Sequence, residues 1–67
     1  MRVKSSMIKR YGYDPRTYTL TVQFQNDSIY KYFNVRPHDL KMVVTAPSVG
    51  KAFNAIIKPQ YNYKRIV

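Results

Sequence analysis

Tyr18, Leu20, Val22 and Phe24 alternate strictly with Thr19, Thr21, Gln23 and Gln25. A period of two is the pattern of a strand with one buried and one wet face. A strand is therefore expected over Tyr18 to Gln25, with Tyr18, Leu20, Val22 and Phe24 on the buried side. Upstream, Met7 to Tyr13 is rich in Ile and Tyr and reads as a first strand. Asp14-Pro15-Arg16-Thr17 reads as the turn between them, because Pro presets φ for the second turn position. Asn26-Asp27-Ser28 closes a hairpin onto a third strand, Ile29 to Phe33.

The length of that hairpin decides which way Tyr30 and Tyr32 face. A two-residue Asn26-Asp27 turn pairs Phe24 with Ile29 and leaves both tyrosines on the wet face. A three-residue loop pairs Phe24 with Tyr30 and puts both in the core. One residue of register moves the whole set to the other face. The longer loop is favoured, since neither Asn26 nor Asp27 is followed by the Gly that tight primed turns prefer. It also sends Lys31 outward and avoids burying an ammonium group.

Beyond the third strand the apolar period lengthens to about 3.6. Pro37 fits a first helical turn, with Asp39 just after it. Leu40, Val43 and Val44 then form one apolar face, and Pro47 ends the helix. Ser48 can cap a second helix by accepting a backbone N–H. Val49, Phe53, Ile56 and Ile57 recur at helical spacing, and Pro59 stops it. The tail, Gln60 to Val67, alternates again, so it adds a last strand or lies across the sheet. The expectation is one α+β domain over 1–67: a three-stranded antiparallel meander packed on one face by two short helices, with a C-terminal tail of strand character.

Composition supports a small fold and constrains the chemistry. A chain of 67 residues buries only about 60% of its unfolded surface, yet 45% of its residues are hydrophobic. That is too apolar for a disordered basic tail. No stretch is apolar enough for a signal peptide or a membrane span, which makes the cytoplasm the expected location. Twelve Lys and Arg stand against three acids, a net charge of +9. Asp14, Asp27 and Asp39 all fall where Asp makes local backbone hydrogen bonds, so little pairing within the fold is expected. Such a charge on so small a surface invites an anionic partner.

The ordered set Ser5-Ser6-Met7-Ile8, Tyr13-Asp14, alternating Leu20, Val22 and Phe24, and central Tyr30-Lys31-Tyr32 resembles the KTSC domain family. Val35, Pro37, Ala46, Ser48, Gly50, Phe53, Asn54, Ile57, Tyr61 and Tyr63 continue the match across nearly the whole chain. Two positions depart from the family pattern. The hairpin tip lacks the Gly of many members, and Arg36 stands between Val35 and Pro37. The resemblance implies a domain that is carried at the C-terminus of some lysyl-tRNA synthetases and also stands alone in bacteria and phages, with RNA binding as its suggested role.

Catalysis is poorly provisioned. The chain has one His, no Cys, and three acids, all Asp and widely spaced. Paired carboxylates would have to converge, and a nucleophile–base pair would have to use His38. His38 beside Pro37 reads better as a solvated surface residue. No ligands cluster for a metal, and no cofactor is expected. Ser48-Val49-Gly50-Lys51 could present helix N–H groups to a phosphate, but an ordinary capped helix is the preferred reading. Tyr30 and Tyr32 could stack bases beside Lys31; the register argument places them in the core instead. Tyr61 and Tyr63, followed by Lys64-Arg65, are the better stacking candidates, weighed equally against a tail pinned to the sheet by its tyrosines.

The sequence thus points to a non-enzymatic nucleic-acid-binding module for RNA or single strands. Lys9, Arg10, Lys51, Lys58, Lys64 and Arg65 would neutralise phosphates, and Tyr61 and Tyr63 would stack bases. The alternative is a small phage- or bacteria-encoded inhibitor or adaptor that docks its basic surface on an acidic host protein. Neither short helix suits a membrane surface. A monomer and a homodimer are both compatible with so small a core.

Overall fold

The computed structural model describes residues 7–67, so the Ser5-Ser6 start of the family pattern lies outside the described residues. Four antiparallel strands form one sheet in the order β1-β2-β3-β4. They are β1 (Ile8–Asp14), β2 (Thr19–Phe24), β3 (Ile29–Tyr32) and β4 (Tyr63–Arg65). The α+β class is as expected, but the sheet has four strands rather than three, because the alternating tail pairs with β3. Tyr32 faces Tyr63, Lys31 faces Lys64 and Tyr30 faces Arg65.

The hairpin between β2 and β3 corrects the expected register. Val22, not Phe24, stands opposite Tyr30, and Leu20 stands opposite Tyr32. The Phe24 N–H donates to the Ser28 carbonyl at 2.9 Å, which leaves Gln25-Asn26-Asp27 as the loop. The pairing is shifted by two residues, and side chains alternate with period two. Tyr32 is therefore still buried, Tyr30 half-buried on the same side and Lys31 exposed on the other. The loop closes without Gly because Asp27 takes a left-handed conformation (φ 68°), which Asp tolerates better than most residues. The Asn26 side chain accepts from the Ser28 N–H at 3.0 Å.

Tyr18 also departs from expectation. It lies outside β2 with φ 56° and is 49% exposed. Its left-handed backbone ends the turn after Asp14, and its carbonyl accepts from the Val35 N–H at 2.7 Å. β3 likewise ends at Tyr32, before Phe33, and Asn34 turns the chain with φ 59°.

Helix α1 (Pro37–Val44) starts at the expected Pro. Helix α2 (Val49–Ala52) is capped by the Ser48 hydroxyl, which accepts from the Lys51 N–H at 3.4 Å. It runs on into a π-helical turn, Phe53–Ile57. Ile8, Leu20, Val22, Tyr32, Val35, Val43, Phe53 and Ile57 form the buried core. The helices thus cover one face of the sheet. Phe53 is its hub, with its ring edge-on to Tyr32 at 5.2 Å and to Phe24 at 5.7 Å. Burying such a ring contributes about 1.5–3 kcal/mol, and edge-on pairs add about 0.5–1.5 kcal/mol.

The acids do more than cap turns. Asp14 accepts from the Arg16 N–H at 3.0 Å, as expected. Asp27, however, pairs with Lys9 at 2.8 Å across the sheet, and Asp39 pairs with Arg36 at 3.4 Å. Asp27 thus gains its cation from tertiary packing, whereas Asp14 and Asp39 pair with cations two and three residues away along the chain.

Candidate nucleic-acid interface

The tail leaves the π-helical turn through a hydrogen bond from the Tyr61 N–H to the Ile57 carbonyl at 3.1 Å. The Tyr61 hydroxyl then donates to the buried Asp39 carboxylate and accepts from the Arg36 N–H and Nε, each at 3.3 Å. This cluster holds the Arg36 guanidinium charged to a higher pH than usual, the Tyr61 hydroxyl being the largest cause and Asp39 a further one. Of the two stacking candidates, Tyr61 is thus built into the fold: half-buried, packed on the core and hydrogen-bonded.

Tyr63 is different. Two residues on, β4 has become the sheet edge, and Tyr63 is 59% exposed. Its ring lies 5.5 Å from Tyr30 and 5.6 Å from Tyr32. Behind it, Tyr30 and Tyr32 stack at 6.5 Å, and Phe24 meets Tyr30 edge-on at 5.4 Å. Burial, with Tyr30 and Tyr63 as neighbours, pushes the Tyr32 hydroxyl up to about 12. Together these rings line a notch of about 580 Å³ that also reaches Met7, Ser28 and Lys58.

Two of the candidate cations flank this notch. Lys58 Nζ lies 6.0 Å from the centre of the Phe24 ring, and the Arg65 guanidinium 6.0 Å from that of Tyr30. The π-helical turn carries Lys58 there: its N–H closes the turn on the Phe53 carbonyl at 3.1 Å. Arg65 is steadied by Nε donating to the Val67 carbonyl at 3.0 Å and by Nη2 reaching the Ser28 hydroxyl at 3.4 Å.

The other candidates lie elsewhere. Lys9 is the extra residue of a bulge between Ile8 and Arg10, and Asp27 occupies its ammonium group. That contact, foremost its hydrogen bond, holds the Asp27 carboxyl below the usual carboxylate range. Arg10 projects from the uncovered face of the sheet and donates to the Gln23 side chain. Lys64 shares that face with Lys31. Lys51 is exposed on α2, and Gly50 beside it is buried. Ser48 to Lys51 therefore forms a capped, packed helix start. His38 is exposed, and among the described residues no group of three or more His, Cys, Asp or Glu could hold a metal. No helix among them is long and apolar enough to cross a membrane.

A family model described as the KTSC domain matches residues 4–61. The chain belongs to the KTSC domain family. A lysine–tRNA ligase of Nostoc punctiforme is 35% identical over 66 residues, which are 98% of this chain and 12% of the ligase. The chain thus spans about one eighth of the length of that relative. An uncharacterized protein of Stutzerimonas stutzeri is 38% identical over 65 residues, 96% of this chain and 92% of that protein. The crystal structure of a KTSC domain protein from Yersinia pestis superposes with a TM-score of 0.94 at 31% identity, covering 100% of this chain and 94% of the other. The KTSC domain therefore occurs both as a small part of a ligase and as nearly the whole of a small protein.

In this KTSC domain the family's Tyr-x-Tyr pair belongs to both core and notch. Tyr32 is 2% exposed and Tyr30 half-buried, as the core reading expects. Yet both rings form the wall on which Tyr63 rests. The sequence by itself assigns these tyrosines to the core through the register of the hairpin. The signal that relates them is the alternation of Tyr61, Tyr63 and Arg65, once that segment is paired with β3.

Proposed function

We propose that this KTSC domain is a non-enzymatic nucleic-acid-binding module that holds an unpaired base of RNA or another single strand at its aromatic notch. The observation that carries the reading is the exposed Tyr63 ring resting on Tyr30 and Tyr32, with Arg65 over Tyr30 and Lys58 over the adjoining Phe24 ring. Sequence-tolerant modules for single strands combine these parts: aromatic faces for bases and cations for the adjoining phosphates. A notch of about 580 Å³ is of the size that admits small planar ligands. The occurrence of the domain within lysine–tRNA ligases, whose name places them on tRNA, supports an RNA partner.

Base stacking contributes about 1–3 kcal/mol per base. Tyr63→Ala is expected to weaken binding of a short single-stranded RNA by that amount, read by fluorescence anisotropy, with the slope of log affinity against log salt unchanged. Replacing both Lys64 and Arg65 with Ala is expected to lower affinity and flatten that slope. A pull-down from lysate run with and without nuclease checks the class of partner. Retained RNA or DNA that disappears with nuclease and salt agrees with the reading. A single protein that persists through both would overturn it and assign the basic surface to an acidic protein.

A further inference from the structure

The sheet face that the helices leave uncovered carries its own charge pattern. Lys31 on β3 stands directly opposite Lys64 on β4, and Thr21 stands opposite Lys31 on its other side. Like charges directly across a ladder repel and destabilise the pair. The three acids of the chain are engaged elsewhere: Asp27 with Lys9, Asp14 with Arg16 and Asp39 with Arg36. Among the described residues, neither lysine of the Lys31–Lys64 pair has a carboxylate partner. Beside Lys31 lies a shallow hollow of about 350 Å³, lined by Gly12, Tyr13, Asp14, Thr17, Thr19 and Thr21, its one carboxylate, Asp14, being paired with Arg16. The hydroxyls of Thr19 and Thr21 can donate to phosphate oxygens.

The edge strand joins this face to the notch. Successive side chains of a strand point to opposite faces. Tyr63 and Arg65 therefore turn to the aromatic notch, and Lys64 between them turns to the uncovered face. A strand whose base stacks on Tyr63 has only to pass over the β4 edge to bring its next phosphates to Lys64 and Lys31.

We propose that Lys31 and Lys64 form a phosphate clamp on the uncovered face, and that a single nucleic-acid strand folds over the β4 edge from notch to clamp. This rests on the reading of the notch as a base site and adds the path of the backbone. The clamp explains why two unpaired ammonium groups are kept face to face: the phosphate between them supplies the charge that the chain withholds. A duplex does not fit this path, since the notch accepts a single splayed base and the backbone must turn about one strand.

The test uses the full chain, a short single-stranded RNA of mixed sequence, and two variants, Lys31→Gln/Lys64→Gln and Tyr63→Ala. The double glutamine variant is expected to bind more weakly and to reduce the salt slope by about 1.4, since each released phosphate contact contributes roughly 0.7 for single strands. The melting temperature of the free double variant is expected to rise, because the cross-strand repulsion is gone. A lower melting temperature would mean that the lysines hold the fold, and would overturn the clamp. Unchanged affinity and slope in the double variant, with Tyr63→Ala weakened, would also overturn the clamp and leave the notch reading intact. Weak binding by the double variant with Tyr63→Ala unchanged would keep the phosphate contacts and remove the base site. Unchanged binding in both variants would overturn both.

Discussion

Tyr61 and Tyr63 stand two residues apart in one alternating segment, and the fold treats them in opposite ways. Tyr61 sits where the chain is still beside α1, close to Asp39 and Arg36, and its hydroxyl is taken up by both. Tyr63 sits where the same segment has become the edge of the sheet, and its ring is left exposed against Tyr30 and Tyr32. The difference lies in their neighbours. A buried carboxylate must find donors or destabilise the fold, so the tyrosine within its reach is committed. An edge strand has no layer beyond it, so the tyrosine there keeps one face open.

The sharpest way to break this contrast is to remove the hydroxyl that anchors the tail. Tyr61→Phe takes a donor from the buried Asp39 and is expected to lower unfolding stability by about 2–3 kcal/mol, read by urea denaturation. Tyr63→Ala, which loses ring contacts but leaves no buried charge without a donor, is expected to cost less, about 0.5–1.5 kcal/mol. Equal losses in the two variants would remove the distinction between anchor and platform.

A second prediction concerns the wall of the notch. The Tyr32 hydroxyl has its pKa raised from 10.0 to about 12, chiefly by burial. A raised folded-state value means that its contribution to stability is fully present below pH 10 and is lost as the pH rises through 12. In a tyrosinate absorbance titration of the folded protein, Tyr32 is expected to ionise late, near pH 12, and Tyr32→Phe to remove that step. The delay should vanish in urea. A third and smaller effect belongs to the opposite side of the fold. Asp27 is held below its usual 3.8 by Lys9, so its contribution is present above that pH and is lost as the pH falls below it. Asp27→Asn should remove that part of the acid sensitivity in pH-dependent melting, leaving Tyr61 and Tyr63 unaffected.

Where the two tyrosines diverge is also where reading the sequence stopped. The strict alternation of Leu20, Val22 and Phe24, the Pro at the head of α1 and the Ser48 cap were legible because each acts within a few residues. The face of Tyr32 and Lys31 was legible although the pairing was two residues off, because only the parity of the register decides a face. Tyr18 was misplaced because alternation extends through it, whereas the four-residue turn needs a left-handed residue there. Arg36, a departure from the family pattern, steadies Tyr61, a contact that the sequence did not announce.

By itself, then, the sequence determined the α+β class, the position of the helices, the surplus of cations and the scarcity of His, Cys and acidic residues. Those follow from local periodicity, capping chemistry and counting. The tertiary structure alone decided that the tail is a fourth strand, that Tyr63 joins Tyr30 and Tyr32 while Tyr61 does not, and that Lys31 meets Lys64. It also decided that Asp27 neutralises Lys9. These are contacts between residues some twenty to forty positions apart. Their outcome depends on which strand lies at the edge and which side the helices cover, and neither is written in any short stretch of the chain.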